Sequence, residues 1–210
     1  MNLNYQKPMH VFMQLTKTGG TTLMETLGRV YLRTNSTTDK SNSFELESGY
    51  VYKNGLISRP WANTPTQYYE YRQIPPELVD DIEIMQGMVG LHQQINRECR
   101  YFTLFRDPAN RAISYYNYIL RLQQVDPPER EFAINNTFSL IDCLEQGIDI
   151  ELDNGLTRSL LNSEENIEFG KLTLDHFETA KQNLDKYVEV ACITDRYDES
   201  LLILRKSLGW

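Results

Sequence analysis

Apolar runs separated by polar, glycine-containing turns divide this chain into strands that alternate with helices. The runs typical of buried strands lie at 9–15, 82–89, 101–105 and 188–193. Apolar residues at near-helical spacing and helix start signals predict helices at 21–33, 76–81, 108–124, 137–146, 154–162, 175–186 and 198–208, and the polar residues 93–98 are also expected to be helical. Because strands joined through helices run in the same direction, this pattern predicts an α/β fold with a mainly parallel sheet.

Residues 34–71 break this alternation. The segment is rich in Asn, Ser, Thr and Tyr, and its apolar pieces are as short as 50–52 and 55–57. We expect a loop-rich insertion with one hairpin, inside a single domain that spans residues 1–210. A lid over a substrate and a plain flexible loop are both consistent with this pattern.

Composition narrows the class of protein. The hydrophobic content of 40% and the charged content of 24% are typical of a soluble globular protein. No apolar run approaches the ~20 residues that a membrane span needs, and the first residues lack a signal-peptide pattern, so we expect a cytoplasmic protein. The net charge of −8 argues against nonspecific nucleic-acid binding. The three cysteines are far apart and form no cluster with histidines, so we expect no metal site.

The end of the first predicted strand carries the first candidate site. The apolar run stops at Lys17, turns through Gly19 and Gly20, and continues as a helix that begins with threonines. Such a turn directs backbone N–H groups and a helix N-terminus at one place, where an anion can bind. In the usual nucleotide-binding loop the lysine follows the glycines, whereas here it precedes them. A plain turn with a solvated lysine is the alternative.

The end of the third predicted strand carries a second candidate site. Arg106 follows that strand, and Ser114 comes eight residues later in the helix that begins near Pro108. A guanidinium and a hydroxyl near a helix start can bind a phosphate through charge-assisted hydrogen bonds. An Arg106 ion pair with Asp107 or another acid, and a Ser114 hydroxyl bonded to its own helix, explain the same residues equally well.

The stretches LTKTGGTTL and YFTLFRDPANRAISYYNY together resemble the two phosphate-binding segments of sulfotransferases that use 3′-phosphoadenosine 5′-phosphosulfate (PAPS). The most similar branch contains the heparan sulfate 2-O- and 6-O-sulfotransferases and their bacterial relatives. Segments 153–158, 180–184 and 193–201 resemble later parts of that family in the same order. The resemblance implies a P-loop-like three-layer sandwich. It also implies sulfuryl transfer from PAPS to a hydroxyl of a carbohydrate or other small acceptor, with PAP as product and no metal.

The family's functional residues can be carried over one at a time. The residues matching its 5′-phosphosulfate loop are Lys17, Thr18, Gly19, Gly20, Thr21 and Thr22. Arg106 and Ser114 match its 3′-phosphate site, and Lys17 would stabilise charge on the leaving phosphate. Arg111, in the RDPxxR part of the motif, fits either this site or a structural ion pair.

More than one residue could be the general base. His92, in Gly-Leu-His, resembles the family segment that contains the base, although a structural histidine fits the same place. In an ungapped comparison the histidine of other relatives falls on Gln86, which would leave Glu83 or an acid within 34–71 as the base. A His-Ile-Pro common in relatives is replaced by a segment that begins at Gln14.

The other two histidines are expected to be structural: His10, before the first strand, and His176, in a late helix. Two other functions fit the same loop. One is a P-loop kinase or NTPase, which the order of lysine and glycines disfavours. The other is a protein that binds PAP or another nucleotide but has lost catalysis.

Overall fold

The computed structural model describes residues 7–32, 43–46, 49–52, 55–58, 82–87, 91, 97–125, 138–161 and 167–209. The strands in these ranges are β1 (Met9–Met13), β2 (Ser43–Leu46), β3 (Gly49–Tyr52), β4 (Gly55–Ser58), β5 (Ile84–Gly87), β6 (Cys99–Phe105) and β7 (Val188–Ile193). They form one seven-stranded sheet in the order β2-β3-β4-β5-β1-β6-β7. Neighbours from β4 to β7 are parallel, and only the β2–β3 and β3–β4 pairs of this sheet are antiparallel.

Six helices lie in the described ranges. They are α1 (Gly20–Leu27), α2 (Pro108–Val125), α3 (Leu140–Glu145), α4 (Gly155–Leu160), α5 (Leu174–Tyr187) and α6 (Tyr197–Leu208). A π-helical turn at Gly28–Leu32 extends α1, and 3₁₀ turns occupy Ile150–Leu152 and Thr194–Arg196. Capping boxes at Ser139 and Thr173 begin α3 and α5, because each side chain accepts a hydrogen bond from the helix's first turn.

Helices cover both faces of the sheet. Phe12 and Phe102 pack on one face against Leu23 of α1 and Leu204 of α6. Residues that alternate with these, such as Val11 of β1, pack on the other face with the cluster that includes residues of α4 and α5. The predicted three-layer α/β sandwich with a mainly parallel sheet is therefore confirmed.

Helix α2 belongs to neither covering layer. Its Tyr116 and Ile119 pack with Cys143 of α3 and Leu152 of the 3₁₀ turn, in a cluster without any strand residue. This packing holds α2 beyond the carboxyl end of β6, from which it starts. Parallel α/β sheets bind ligands outside the carboxyl ends of their strands, and α2 lies beside that region.

The predicted insertion contains more regular structure than expected. Residues 43–58 include three strands joined as two hairpins, not one, and β4 pairs in parallel with β5. The insertion therefore widens the central sheet. The pattern underestimated it because strand formation depends strongly on pairing with neighbouring strands, which short runs of sequence do not reveal. The helix predicted at 76–81 lies outside the described residues, as do residues 93–96 of the one expected at 93–98, and residues 97 and 98 are not helical.

The other predicted elements match the observed ones to within a few residues, with β5 shorter than the apolar run at 82–89. Among the described residues, no helix is long and apolar enough to cross a membrane.

Candidate anion-binding site at the strand ends

The loop between β1 and α1 is a tight turn with two left-handed residues. Lys17 has a φ of 64° and Gly19 a φ of 87°, and the first value is unusual for a residue with a side chain. The Thr18 side chain is buried, and its hydroxyl donates to the Leu15 carbonyl at 2.9 Å. Any bond from Thr18 to a ligand would therefore come from its backbone. The loop has a specific conformation that its own side chains support.

Helix α1 begins directly from this loop. Its N-cap residue is Gly19, which has no side chain that could accept a hydrogen bond from the first N–H groups of the helix. A Cβ atom at Gly20 would lie 2.7 Å from Cγ of Gln14, which explains why glycine is needed there. Thr21 and Thr22 are exposed on the first turn. This helix start has the character of an anion-binding site.

Neighbouring strands hold the loop from below. Thr103 of β6 donates its hydroxyl to the Met13 carbonyl at 2.6 Å. The Thr194 hydroxyl, just after β7, contacts the Thr18 carbonyl and lies 2.9 Å from the Phe105 carbonyl. The loop, the end of β6 and the end of β7 therefore form one connected unit. From the sequence, Thr194 could be placed at a strand end, but nothing there indicated its role.

Arg111 braces the loop from the side. It is only 4% exposed, and its Nη1 donates to Glu151 Oε2 at 3.0 Å and to the Thr16 carbonyl at 3.3 Å. A Cβ at Gly155 would lie 2.5 Å from its Nη2. Of the two roles open for Arg111, the structure shows the structural ion pair. Asp153 and Arg158 form a further ion pair within the same segment.

Three cations converge near the loop. Arg106 is half-buried and donates from Nη1 to the Lys17 carbonyl at 3.3 Å. The Lys17 ammonium lies 4.3 Å from the centroid of the Tyr118 ring. Burial, followed by the positive charges of Arg121 and then Arg106, lowers the pKa of Lys17 from its ordinary value. Arg121, which is exposed on α2 and donates to the Asn117 carbonyl, is therefore near enough for its charge to act on Lys17, although no sequence motif marked it.

These cations have no carboxylate partners in the part of the chain that the structure describes. The ion pair between Arg106 and Asp107, which the sequence left open, is absent there. Asp107 instead accepts a hydrogen bond from the Asn110 backbone at 2.9 Å. Unpaired cations repel one another, so this cluster favours an anion.

Ser114 is half-buried on α2 and makes no hydrogen bond with the described residues, so its hydroxyl is not bonded to its own helix. Ser114, Tyr118 and Arg121 have the spacing i, i+4, i+7 and therefore share one face of α2. That face carries the ring that contacts Lys17. The structure thus brings together Lys17, Arg106 and the α2 face that bears Ser114.

Two glutamines with buried amide atoms lie next to the loop. Gln86 of β5 is 0% exposed, and neither Nε2 nor Oε1 of its amide has a hydrogen-bond partner among the described residues. Gln14 is half-buried, and its buried Oε1 likewise has no partner there. Gln86 is in register with Phe12, and Gln14 lies two residues beyond Phe12, so both side chains are on the α1 side of the sheet. Three buried polar atoms without a described hydrogen-bond partner therefore lie beside the candidate site.

The candidate bases have different outcomes. His92 lies outside the described residues. Glu83 precedes β5, so it lies at the amino end of a strand whose carboxyl end faces the site, and this position argues against it. Side chains within 34–71 are likewise outside the described set.

The other two histidines have structural partners. His10 is inside β1, not before it as expected, and its Nδ1 lies 3.2 Å from the Tyr31 hydroxyl. Nδ1 of His176 accepts a hydrogen bond from the Thr173 backbone at 2.9 Å and completes a helix cap.

Comparison of the chain with models of known protein families and with curated protein sequences gives no match. The function must therefore be argued from the site.

Proposed function

We propose that this protein is a sulfotransferase that moves a sulfuryl group from PAPS to a hydroxyl of a carbohydrate or other small acceptor. One observation carries the proposal. Lys17, Arg106 and Arg121 converge, without carboxylate partners in the described part of the chain, beside the uncapped start of α1. Because the whole chain carries a net charge of −8, the positive charge at this site is a local excess, and it can discriminate between anions. It favours a small, highly charged anion over a generally polyanionic partner.

The geometry supports two anion positions. The first consists of the loop backbone, the start of α1 and Lys17, together with Thr21 and Thr22 on the first turn. The second consists of Arg106 and the hydroxyl of Ser114, which makes no hydrogen bond with a described residue and lies about two turns into α2. A nucleotide with anionic groups on both its 5′ and 3′ positions matches this pair, and PAPS is such a nucleotide.

The residues present fit the chemistry of this reaction. When bound, PAPS would supply the sulfuryl group. Lys17 would stabilise negative charge on the leaving phosphate, and Arg106 would hold the 3′-phosphate together with Ser114. The acceptor hydroxyl needs a proton acceptor, for which we propose His92. Gln86 cannot fill that role, because an amide does not accept a proton near neutral pH.

A protein that binds PAP without transferring sulfate is a second candidate. The amides of Gln14 and Gln86 favour it, because they place uncharged groups beside the site where a titratable side chain would be useful. The order of Lys17 and Gly19 continues to disfavour a P-loop kinase or NTPase.

Thermal unfolding with PAP, with ATP and with ATP–Mg²⁺ tests these functions. A ligand at 100 times its dissociation constant stabilises a protein by about 2.7 kcal/mol. Stabilisation by PAP but not by ATP–Mg²⁺ supports PAP binding, and the reverse supports a kinase or NTPase. Transfer of labelled sulfate from PAPS then separates the enzyme from the inactive binder. If PAP does not change the unfolding temperature, both the sulfotransferase and the inactive PAP-binding protein are excluded.

Two variants assign the catalytic roles. Lys17→Ala should abolish transfer and leave the unfolding midpoint without ligand nearly unchanged. His92→Ala should reduce turnover far more than it weakens PAP binding. Full activity in both variants would refute these roles.

A further inference from the structure

The side chain of Lys17 is held by an aromatic ring. Its ammonium lies 4.3 Å from the centroid of Tyr118, well within the ~6 Å range of cation–π attraction. The backbone of Lys17 is in the left-handed region, and its carbonyl accepts a hydrogen bond from Arg106. Both ends of this residue are therefore restrained. For a lysine, whose stem is long and flexible, such restraint is unusual.

The helix that carries the ring is itself held in place. The neighbouring Tyr115 donates its hydroxyl to Asp149 at 2.8 Å, and Tyr116 donates to the Phe138 carbonyl at 2.7 Å. These bonds fix the rotation of α2 about its axis, and the ring of Tyr118 is placed by the same helix. Tyr118 also lies one turn after Ser114 on the same face, about 6 Å farther along the axis.

The ring has an electrostatic role as well. Lys17 lies close to two guanidinium groups, and their positive charges would push its ammonium toward solvent. The negative face of an aromatic ring attracts a cation, and Tyr118 therefore opposes that repulsion. A lysine held in this way needs less ordering when an anion binds.

We propose that Tyr118 is a positioning residue that holds the Lys17 ammonium in place for the phosphate of a nucleotide. Because Ser114 is on the same face of α2, this helix also sets the distance between the two anion positions. The link to a nucleotide rests on the proposed function, whereas the contact between the ring and the ammonium does not.

Nuclear magnetic resonance of the ligand-free protein tests the contact. Lysine labelled with ¹³C reports the ε-protons of Lys17, and the Lys17→Met variant assigns their signal. Protons above an aromatic ring resonate upfield, so the signal should be upfield in the unmodified protein and in Tyr118→Phe. It should move to the ordinary lysine position in Tyr118→Leu. The same signal in the Phe and Leu variants would overturn the proposal.

Calorimetric titration with PAP tests the function of the contact. Tyr118→Leu should bind PAP about two- to fivefold more weakly than Tyr118→Phe, as expected for an exposed cation–π pair. In the Lys17→Met background the two variants should bind equally. If the dissociation constants of the Leu and Phe variants differ by the same ratio in both backgrounds, the proposal is overturned, because the ring would then act without Lys17. Comparing Leu with Phe separates the ring from its hydroxyl.

Failure of the unmodified protein to bind PAP would overturn the proposed nucleotide. The NMR comparison would then still decide whether Tyr118 holds Lys17, so the two failures are distinguishable.

Discussion

Replacing Gln86 with methionine should make this protein more stable. Gln86 is 0% exposed, and both polar atoms of its amide lack a hydrogen-bond partner in the described part of the chain. Leaving a buried polar group unsatisfied costs about 1–3 kcal/mol. Methionine has a similar length and no amide, and the repacking cost of a swap of similar volume is usually below about 1.5 kcal/mol. We therefore expect Gln86→Met to raise the free energy of unfolding by about 1 kcal/mol.

Urea denaturation measures this change directly, and a thermal melt should show a midpoint about 2–4 °C higher. Thr103→Val is the matched control. Thr103 is as buried as Gln86, and it lies on β6, which pairs with β1 on the side opposite β5. Unlike the Gln86 amide, its hydroxyl donates to the Met13 carbonyl, at 2.6 Å. Thr103→Val should therefore destabilise the protein by about 1 kcal/mol.

The two substitutions should change the free energy of unfolding in opposite directions, and this difference tests the reasoning. If Gln86→Met also lowers stability, with an unchanged dependence on urea, the Gln86 amide is satisfied and the inference of unsatisfied polarity is wrong.

Three further predictions concern the loop and its supports. Arg111→Met should destabilise the protein by about 3 kcal/mol, since it leaves the partner carboxylate of Glu151 unpaired, and the double variant with Glu151→Met should lose less than the sum of the single variants. Urea denaturation checks this, and strict additivity would contradict the pairing. Gly19→Ala should cost about 1–2 kcal/mol because its φ is 87°, and it should cost more than Gly170→Ala, which has a φ of 70° but no atom near the added Cβ. Equal losses would show that the packing of Gly19 has no energetic role. PAP affinity should fall as the pH rises through the pKa of Lys17, which burial and two neighbouring arginines lower from 10.5. The protonated ammonium binds the anion, so Lys17→Arg should keep its affinity to higher pH in calorimetric titrations, and identical pH profiles would refute a role for the lysine charge.

Much of the fold could be predicted from local pattern. The boundaries of α2, α5 and α6 follow from apolar spacing within each helix, and β1 and β7 follow from short apolar runs. These signals are local because the residues that a helix or strand buries recur at the period of that element itself. The sequence also marked Lys17 and Gly19, since a glycine turn between a strand and a helix has a recognisable composition.

The candidate site depended more on contacts between distant segments. Arg106 and Ser114 could be chosen from the sequence, but whether acids neutralise Arg106 is a property of the folded chain. The same is true of Arg111, which fitted two roles until its bond to Glu151 was seen. Because Arg111 and Glu151 are 40 residues apart in the chain, no periodic pattern in either segment indicates that they pair.

The sequence by itself determined most of the strands and helices outside residues 43–58, and it placed a lysine before a glycine turn at a strand end. Only the tertiary structure decided what surrounds that lysine: the Tyr118 ring, the charge of Arg121 and the support of Thr194. The physical reason is the order of the strands. β1 lies between β5 and β6, with β7 next to β6, so chain segments from 17 to 194 meet at one edge. Local sequence encodes each strand, whereas the side chains that meet beyond their ends depend on how the strands pair.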